Sequence, residues 1–246
     1  MDLIEKTHNH HRHPWELSRS YSILKFLQKN NKDTNYADLG AGDQFFTTKL
    51  KTITGQKIYA VDTAYPEQQS IADGIISLSD ITHLEDASVD YFVVMDLLEH
   101  IENDEYFLNL IADKLKPGGH ILITVPAMQL IFSSHDVFLK HYRRYNKKQL
   151  KEKISRYFIV EKSFYFYSSL LFLRIAMLLF EKVSNKKFKN VGVGLWKYNE
   201  TSLITRFFYT LLNIDFWICK TLNAIHINLP GLSLLAIGTK KRHGDQ

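Results

Sequence analysis

Three acids recur at matching places in a pattern of short apolar runs: Asp38 ahead of Gly40-Ala41-Gly42, Asp62 after Tyr59-Ala60-Val61, and Asp80 before Ile81. Glycines at a strand end let backbone approach a ligand, and the helix that follows offers unpaired N–H groups. Such a loop suits a nucleotide-like ligand. A dinucleotide fingerprint places Gly or Ala at position 45 and an apolar residue at 38, whereas this chain has Phe45 and Asp38. An acid two residues before the first glycine favours a cationic amino group on the ligand instead. Asp62 is then placed to accept hydrogen bonds from both hydroxyls of a ribose, and Asp80 with Ile81 to meet an adenine amino group and ring. Each acid alone also fits a helix cap or a solvated loop. Their recurrence at successive strand ends is what favours a ligand.

A second set carries proton or metal chemistry. Asp96, Glu99 and His100 are spaced i, i+3, i+4, which puts all three on one side of a helical turn. Three roles stay open for them. They buttress the loop, or His100 acts as a general base with an ordinary pKa of ~6.5, or the trio holds a divalent cation that acidifies a hydroxyl. Its oxygen-rich ligands would suit Mg²⁺ better than zinc. His135 and Asp136 follow the fifth strand, on the side where open α/β sheets bind substrates; an Asp next to a His does not itself orient that imidazole. His141, Arg143 and Arg144 line the same mouth, with the arginines suited to gripping a phosphate or carboxylate. Lys147, Lys148, Lys151 and Lys153 read as a solvated helix face. His8, His10, His11 and His13 read as a solvated segment rather than a metal site, and Trp15 and Arg19 are better placed to close over a ligand.

The elements that must position these residues alternate regularly. A helical pattern runs from Trp15 to Gln28, and strands are expected at 36–39, 57–62, 74–77, 91–95, 120–126, 157–166 and 232–239, with amphipathic stretches such as 106–115 between them. That is the pattern of βαβ units and a parallel sheet. With 246 residues, 45% hydrophobic and 23% charged, the chain can bury a sizeable core. The expected division is residues 1–35 as a polar segment and leading helix, 36–167 as a ligand-binding core, 168–229 as a helical apolar insertion, and 230–246 as a final strand with a basic tail. The insertion occupies a connection that ordinarily needs ~2–5 residues. Its run from Leu170 to Phe180 is apolar nearly all round, and a second stripe runs from Ile204 to Ile225. Core packing, an apolar acceptor pocket or dimer contact, and a membrane contact assisted by Lys186, Lys187 and Lys189 are its alternatives. The net charge of +5 favours anionic partners. The lone cysteine, Cys219, reads as a buried thiol in a reducing compartment. No secretory signal is read at Met1–Lys6, and the apolar run at 164–180 falls short of the ~18–20 residues a spanning helix needs. A cytoplasmic location is expected, including the inner face of a membrane.

Taken together, Asp38-Leu39-Gly40-Ala41-Gly42, Ala60-Val61-Asp62, Ser79-Asp80-Ile81 and Leu115-Lys116-Pro117-Gly118-Gly119 resemble the motifs of class I S-adenosylmethionine (SAM)-dependent methyltransferases. Leu97-Leu98-Glu99-His100-Ile101 and the segment from Ser134-His135-Asp136 to His141-Tyr142-Arg143-Arg144-Tyr145 are similar to the type 11 branch, which includes ubiquinone-pathway, bacterial glycan and natural-product enzymes. Gln44 stands where relatives often carry a third glycine. The resemblance implies an α/β, Rossmann-like sheet of seven strands, the last antiparallel, with the helical insertion between strands six and seven. It implies SAM as cofactor, held by Asp38, Gly40, Ala41, Gly42, Asp62, Thr63, Asp80, Ile81, Asp96 and Leu97, and catalysis by His100, His135, Asp136 and His141. No resident metal is expected, Mg²⁺ on Asp96, Glu99 and His100 being the alternative. The expected activity is methyl transfer to a small-molecule, glycan or lipid-linked acceptor, at oxygen. The rivals are N-methylation of an amino group and a non-catalytic SAM-binding scaffold. Nucleic-acid partners are not expected.

Overall fold

From Tyr36 onward, β-branched and aromatic runs alternate with amphipathic segments, and the chain lays them into one sheet. The computed structural model describes residues 12–27, 34–54, 57–67, 70–184 and 202–242. Helix α1 (Pro14–Leu27) leads. The first half of the sheet comprises β1 (Tyr36–Leu39), β2 (Ile58–Val61), β3 (Ser70–Ala72), β4 (Ile75–Leu78) and β5 (Val89–Met95), with α2 (Phe45–Thr54) between β1 and β2. The second half is α3 (Asp104–Lys114), β6 (Leu115–Pro126), α4 (Ser134–Phe138), α5 (Lys147–Ile154), β7 (Phe158–Phe166), α6 (Ser168–Ser184), α7 (Leu203–Ala224) and β8 (Ser233–Lys240).

The strand order is β3-β4-β2-β1-β5-β6-β8-β7. β1 pairs in parallel with β2 and β5, and β5 with β6, while β8 runs antiparallel to both β6 and β7. The expected architecture is therefore present with one addition: the sheet has eight strands rather than seven. The extra strand is β3, which folds back antiparallel on β4 through the left-handed pair Asp73 and Gly74. The Leu115–Gly119 motif also differs from expectation. It forms the start of β6 rather than a turn before it, and the pairing with β5 shifts register across it. Pro117 offers no N–H to a ladder, and Gly118 takes a left-handed φ of 76°, so the extra residues bulge.

Both faces of the sheet are covered, which is why the central strands are continuously apolar rather than alternating. Phe92, Val94, Ile121, Ile123 and Leu108 are buried on one side, and Val93, Leu122, Leu50, Ile23 and Phe216 on the other. α7 belongs to the second layer: it packs on α1 and β7 through Leu212, Phe216 and Cys219. Asp215 caps α6 by accepting the N–H groups of Ser168 and Ser169 at 3.0 and 2.7 Å. Cys219 is a buried free thiol beside that cap. Among the described residues no helix is long and apolar enough to cross a membrane. Gln28, Lys186, Lys187, Lys189 and the histidines at 8, 10 and 11 lie outside the described residues.

Candidate active site

The turn from β1 to α2 is built by glycine stereochemistry. Gly40 and Gly42 adopt φ of 72° and 52°, a region most side chains avoid. A Cβ on Gly40 would also stand 3.2 Å from Leu97 Cδ1, so Leu97 and the glycine loop are in contact. Gln44 sits at φ 63°, a conformation that costs glycine least; its amide donates to Ser77 Oγ at 2.9 Å. The N–H groups of Gly40 and Ala41 both reach Val61 O, tying the loop to the end of β2.

Asp62 links the two turns. Its Oδ2 accepts the Gly42 N–H at 2.8 Å and its Oδ1 the Ala64 N–H at 2.9 Å. Each oxygen keeps a second lone pair, so the carboxylate can still accept two ribose hydroxyls. Tyr65 donates its hydroxyl to Gly42 O at 2.7 Å, a support that the sequence did not single out. Thr63, next to Asp62, is exposed. Asp80 uses Oδ1 for both Thr82 N–H and hydroxyl, at 2.7 and 2.6 Å, capping a single turn at Ile81–His83. Desolvation opposes its ionisation, but these two bonds prevail and hold its carboxyl below the ordinary range. Ile81 is buried beneath it.

Asp38 lies at the floor, 2% exposed, accepting the Thr47 hydroxyl at 2.5 Å. Burial pushes its pKa up to about 7 against the effect of that hydrogen bond. Around it Glu16, Arg19, Ser20, Gly40, Ala41, Asp43, Phe45 and Met95 enclose a small cavity. The leading helix closes this cavity, as Trp15 and Arg19 suggest. Arg19 pairs with Asp96 and lies 4.2 Å from the Trp15 ring centroid. Arg12 pairs with both Glu16 and Asp43 and lies over Phe45. Arg12 and Glu16 were missed in the sequence because nothing local marks an ion pair to a loop that far along the chain. The helix start is itself capped, His13 Nδ1 accepting the Trp15 N–H at 3.0 Å. Burial lowers the His13 pKa to about 4, which fits that acceptor role.

At the turn that follows Leu97 the expected trio does not form. Leu98–His100 is one 3₁₀ turn, and Asp96 precedes it with a left-handed φ of 47°, turned towards Arg19 and the Thr124 hydroxyl at 3.0 Å. The i, i+4 geometry needs a continuous α-helix, which this segment lacks. His141 takes the place expected of Asp96. One ligand-type atom from each of Glu99, His100 and His141 lies within 4.8 Å of the others, and the two imidazoles meet edge to face at 4.6 Å. Glu99 is 1% exposed, and burial raises its pKa to about 8.

Asp136 orients His141. Its Oδ1 stands 3.0 Å from His141 Nδ1 and accepts Arg144 Nε at 2.7 Å, while its Oδ2 accepts the Ser133 N–H and hydroxyl. Burial opposes the charge, but His141 and Arg144 prevail and keep the carboxyl well below the carboxylate range. Asp136 is thus a positioning residue, aimed at the imidazole five residues on rather than at its neighbour. His135 is not part of the Glu99 cluster; burial lowers its pKa. The arginines are likewise committed internally. Arg144 also reaches Ala127 O, and Arg143 pairs with Asp104, which in turn accepts Tyr145 and Lys153 at 2.8 Å each. They hold the floor of the mouth rather than await an anion.

A glycine loop with an acid floor, an acid at the end of the second strand, a capped turn after the fourth and an eight-stranded sheet with β8 reversed between β6 and β7 define an α/β methyltransferase. Residues 9–166 match the methyltransferase-domain family, more than half of the chain, and the chain belongs to that family. SAM is its cofactor, and the loop fits that molecule in its acid floor and its second-strand carboxylate. No curated protein matches the chain in sequence. Among solved structures it is similar to the Haemonchus contortus phosphoethanolamine N-methyltransferase 2, at TM-score 0.55 and 17% identity over 91% of this chain and 52% of that one. It thus spans about half of that enzyme. It is also similar to a SAM-dependent methyltransferase from Archaeoglobus fulgidus (TM-score 0.53, 16% identity, 90% and 92% covered). A third is the Burkholderia thailandensis 1,6-didemethyltoxoflavin-N1-methyltransferase (0.52, 15%, 92% and 78%). These likenesses concern the fold.

Proposed function

We propose that the chain transfers the methyl group of SAM to a hydroxyl oxygen of a small-molecule, glycan or lipid-linked acceptor. The observation that carries this reading is the Glu99, His100 and His141 cluster, built on the turn that directly follows Leu97, the residue in contact with the glycine loop. SAM supplies an already activated methyl, so the chain's own work is alignment and removal of the acceptor's proton. Asp38 holds the amino group of the methionine portion, Asp62 the ribose, and Asp80 with Ile81 the adenine. Arg19, through Asp96, fixes the turn that carries Leu97. His141, held by Asp136, and His100 beside it receive the acceptor hydroxyl. Amine acceptors need little help of this kind. Nitrogen is nevertheless the second reading, because two of the similar structures are named as N-methyltransferases.

The cofactor assignment is tested at two residues. Asp62→Ala leaves two ribose hydroxyls without their acceptor, a loss of ~1–3 kcal/mol, so titration calorimetry should show S-adenosylhomocysteine binding weakened at least several-fold. Unchanged affinity would sink the site. Asp38 adds a pH dependence. A ligand ammonium favours the ionised carboxyl, so below about pH 7 binding must release the proton that burial retains. Affinity should rise about tenfold between pH 6 and pH 8 and then level off, and Asp38→Asn should flatten that rise. A pH-independent wild-type affinity would remove Asp38 from the ammonium site.

The insertion supports an apolar or lipid-linked acceptor. α6 reaches the acceptor-side loop, where Arg174 donates to Ser133 Oγ at 2.7 Å. Away from the sheet, Phe172, Leu173, Phe207, Ile214 and Ile218 are half or more exposed, or close to it. Tyr21, Tyr209, Trp217 and Leu222 line an open groove of about 740 Å³ beside them. Exposed apolar surface of this extent is unusual on a monomer. The protein should therefore float with anionic vesicles and be released by salt; no flotation would leave the apolar pocket or a dimer contact as the role of these helices.

A further inference from the structure

We infer that Arg174 is the anion-binding residue of the acceptor site, and that the acceptor is a lipid phosphate whose charged group lies between an apolar chain on α6 and the hydroxyl that is methylated. The inference deepens the methyl-transfer reading by naming the acceptor's class. It rests on that reading for the methylated hydroxyl, though not for the binding. From Leu170 to Phe180, Arg174 is the sole charged residue of an otherwise apolar run. A cation in such a run needs water or an anion to meet its charge. Its guanidinium is a fork of N–H donors, and the acceptor it finds is the neutral hydroxyl of Ser133, at 2.7 Å. Arg12, Arg19, Arg143, Arg144 and Arg156 each pair with a carboxylate. Among the described residues no acid pairs with Arg174, although the side chain is half-buried.

The place of this cation gives it a use. Ser133 donates its N–H and hydroxyl to Asp136 Oδ2, Asp136 faces His141, and His141 meets His100 edge to face. Contacts thus run unbroken from Arg174 on the insertion to the imidazoles of the mouth. The carboxylate behind Ser133 is already matched by Arg144 and does not balance a second guanidinium. His135 lies in the same field: burial first, then the Arg174, His141 and Arg144 charges, lower its pKa against the pull of Asp136. This corner of the mouth is short of negative charge, which an anionic ligand supplies. A phosphate suits it, because a guanidinium fork grips two of its oxygens at once and gains from a partly dry setting. The apolar side of the cation defines the rest of the ligand. Phe172, Leu173 and Ile175 are exposed beside Arg174 on α6, and Val137 and Phe138 are exposed on α4, which follows the serine it touches. A soluble phosphate leaves these side chains in water, whereas an alkyl or isoprenoid chain covers them. A neutral lipid covers them too, but leaves the guanidinium unmatched.

The test uses the full chain and decyl phosphate below its micelle-forming concentration, with decyl glucoside as the neutral chain and inorganic phosphate as the chainless anion. Calorimetry should show decyl phosphate binding about tenfold or more tightly than either. Arg174→Gln should remove that preference, weakening decyl phosphate about tenfold while leaving decyl glucoside within about twofold. A helix that merely lost its brace on Ser133 would weaken both alike, and that result overturns the inference. Circular dichroism verifies the fold, and Arg174→Met, apolar like its neighbours, serves if the glutamine variant misfolds. Arg206→Gln, which removes an exposed arginine of α7, should change nothing. S-adenosylhomocysteine titrated into the same samples separates the two readings: its failure to bind while the preference for decyl phosphate persists counts against the cofactor assignment alone. Absence of decyl phosphate binding, or equal affinity for decyl glucoside, overturns the anion site. So does a preference that survives Arg174→Gln or falls equally with Arg206→Gln. Inorganic phosphate binding as tightly as decyl phosphate overturns the lipid.

Discussion

Asp136→Ala is expected to cost about 3–5 kcal/mol of unfolding stability, because it strands a buried guanidinium without its partner. The Asp136 side chain is fully buried against Arg144, itself 9% exposed, and His141 depends on the same oxygen. The pH dependence follows from the sign of the shift. The folded carboxyl is held below the unfolded value of ~3.9, so its stabilisation is fully present above that pH and is lost as pH falls through the folded pKa. Urea unfolding at pH 7 should therefore separate the wild type and Asp136→Ala by the full amount, and unfolding below about pH 3 should bring them closer. Equal stability at pH 7 would mean that Arg144 finds another anion and that the network is not structural.

His141→Gln should reduce methyl transfer by about 10²–10⁴-fold while leaving S-adenosylhomocysteine affinity within twofold. The side chain touches Asp136 and His100, neither of which belongs to the glycine turn. Transfer of a labelled methyl from SAM into a deproteinised cell extract measures the first quantity, and calorimetry the second. A variant that retains turnover would remove the imidazole from the reaction and return the choice to an amine acceptor. Equal loss of cofactor binding would instead make the cluster a buttress for the loop.

The glycine loop and the carboxylates around it were legible in the sequence because local rules build them. Glycine conformational freedom at Gly40 and Gly42, and an acid at each strand end, act within a few residues of one another. The strand pattern was legible for the same reason, since two-sided burial writes continuous apolar runs at β1, β2, β5 and β6. β3 escaped notice because three residues pairing across a two-residue turn carry no periodicity. The acceptor half was misjudged at Asp96, whose spacing to Glu99 and His100 suggests a helix that a 3₁₀ turn replaces. His141 was recognised as a residue of the mouth, but its meeting with His100 depends on how the β6–α5 connection folds back, which no local spacing records. The arginines looked like anion grips because their carboxylate partners, Asp104 and Asp136, become neighbours only after folding.

The position of β8 has a consequence for how the chain comes off the ribosome. Among the described residues β7 pairs with β8 alone, while β8 bonds to β6 on its other edge. Throughout translation of 158–232, then, β7 waits with no neighbour in the sheet, and the face of α7 that packs on β7 waits with it, although its contact with α1 is already available. Ser233–Lys240 is the keystone strand: its arrival seats β7 and α7 together, long after β1 through β6 can have assembled. A nascent chain stalled before Ser233 would carry β7 without a sheet partner, with the glycine loop already formed.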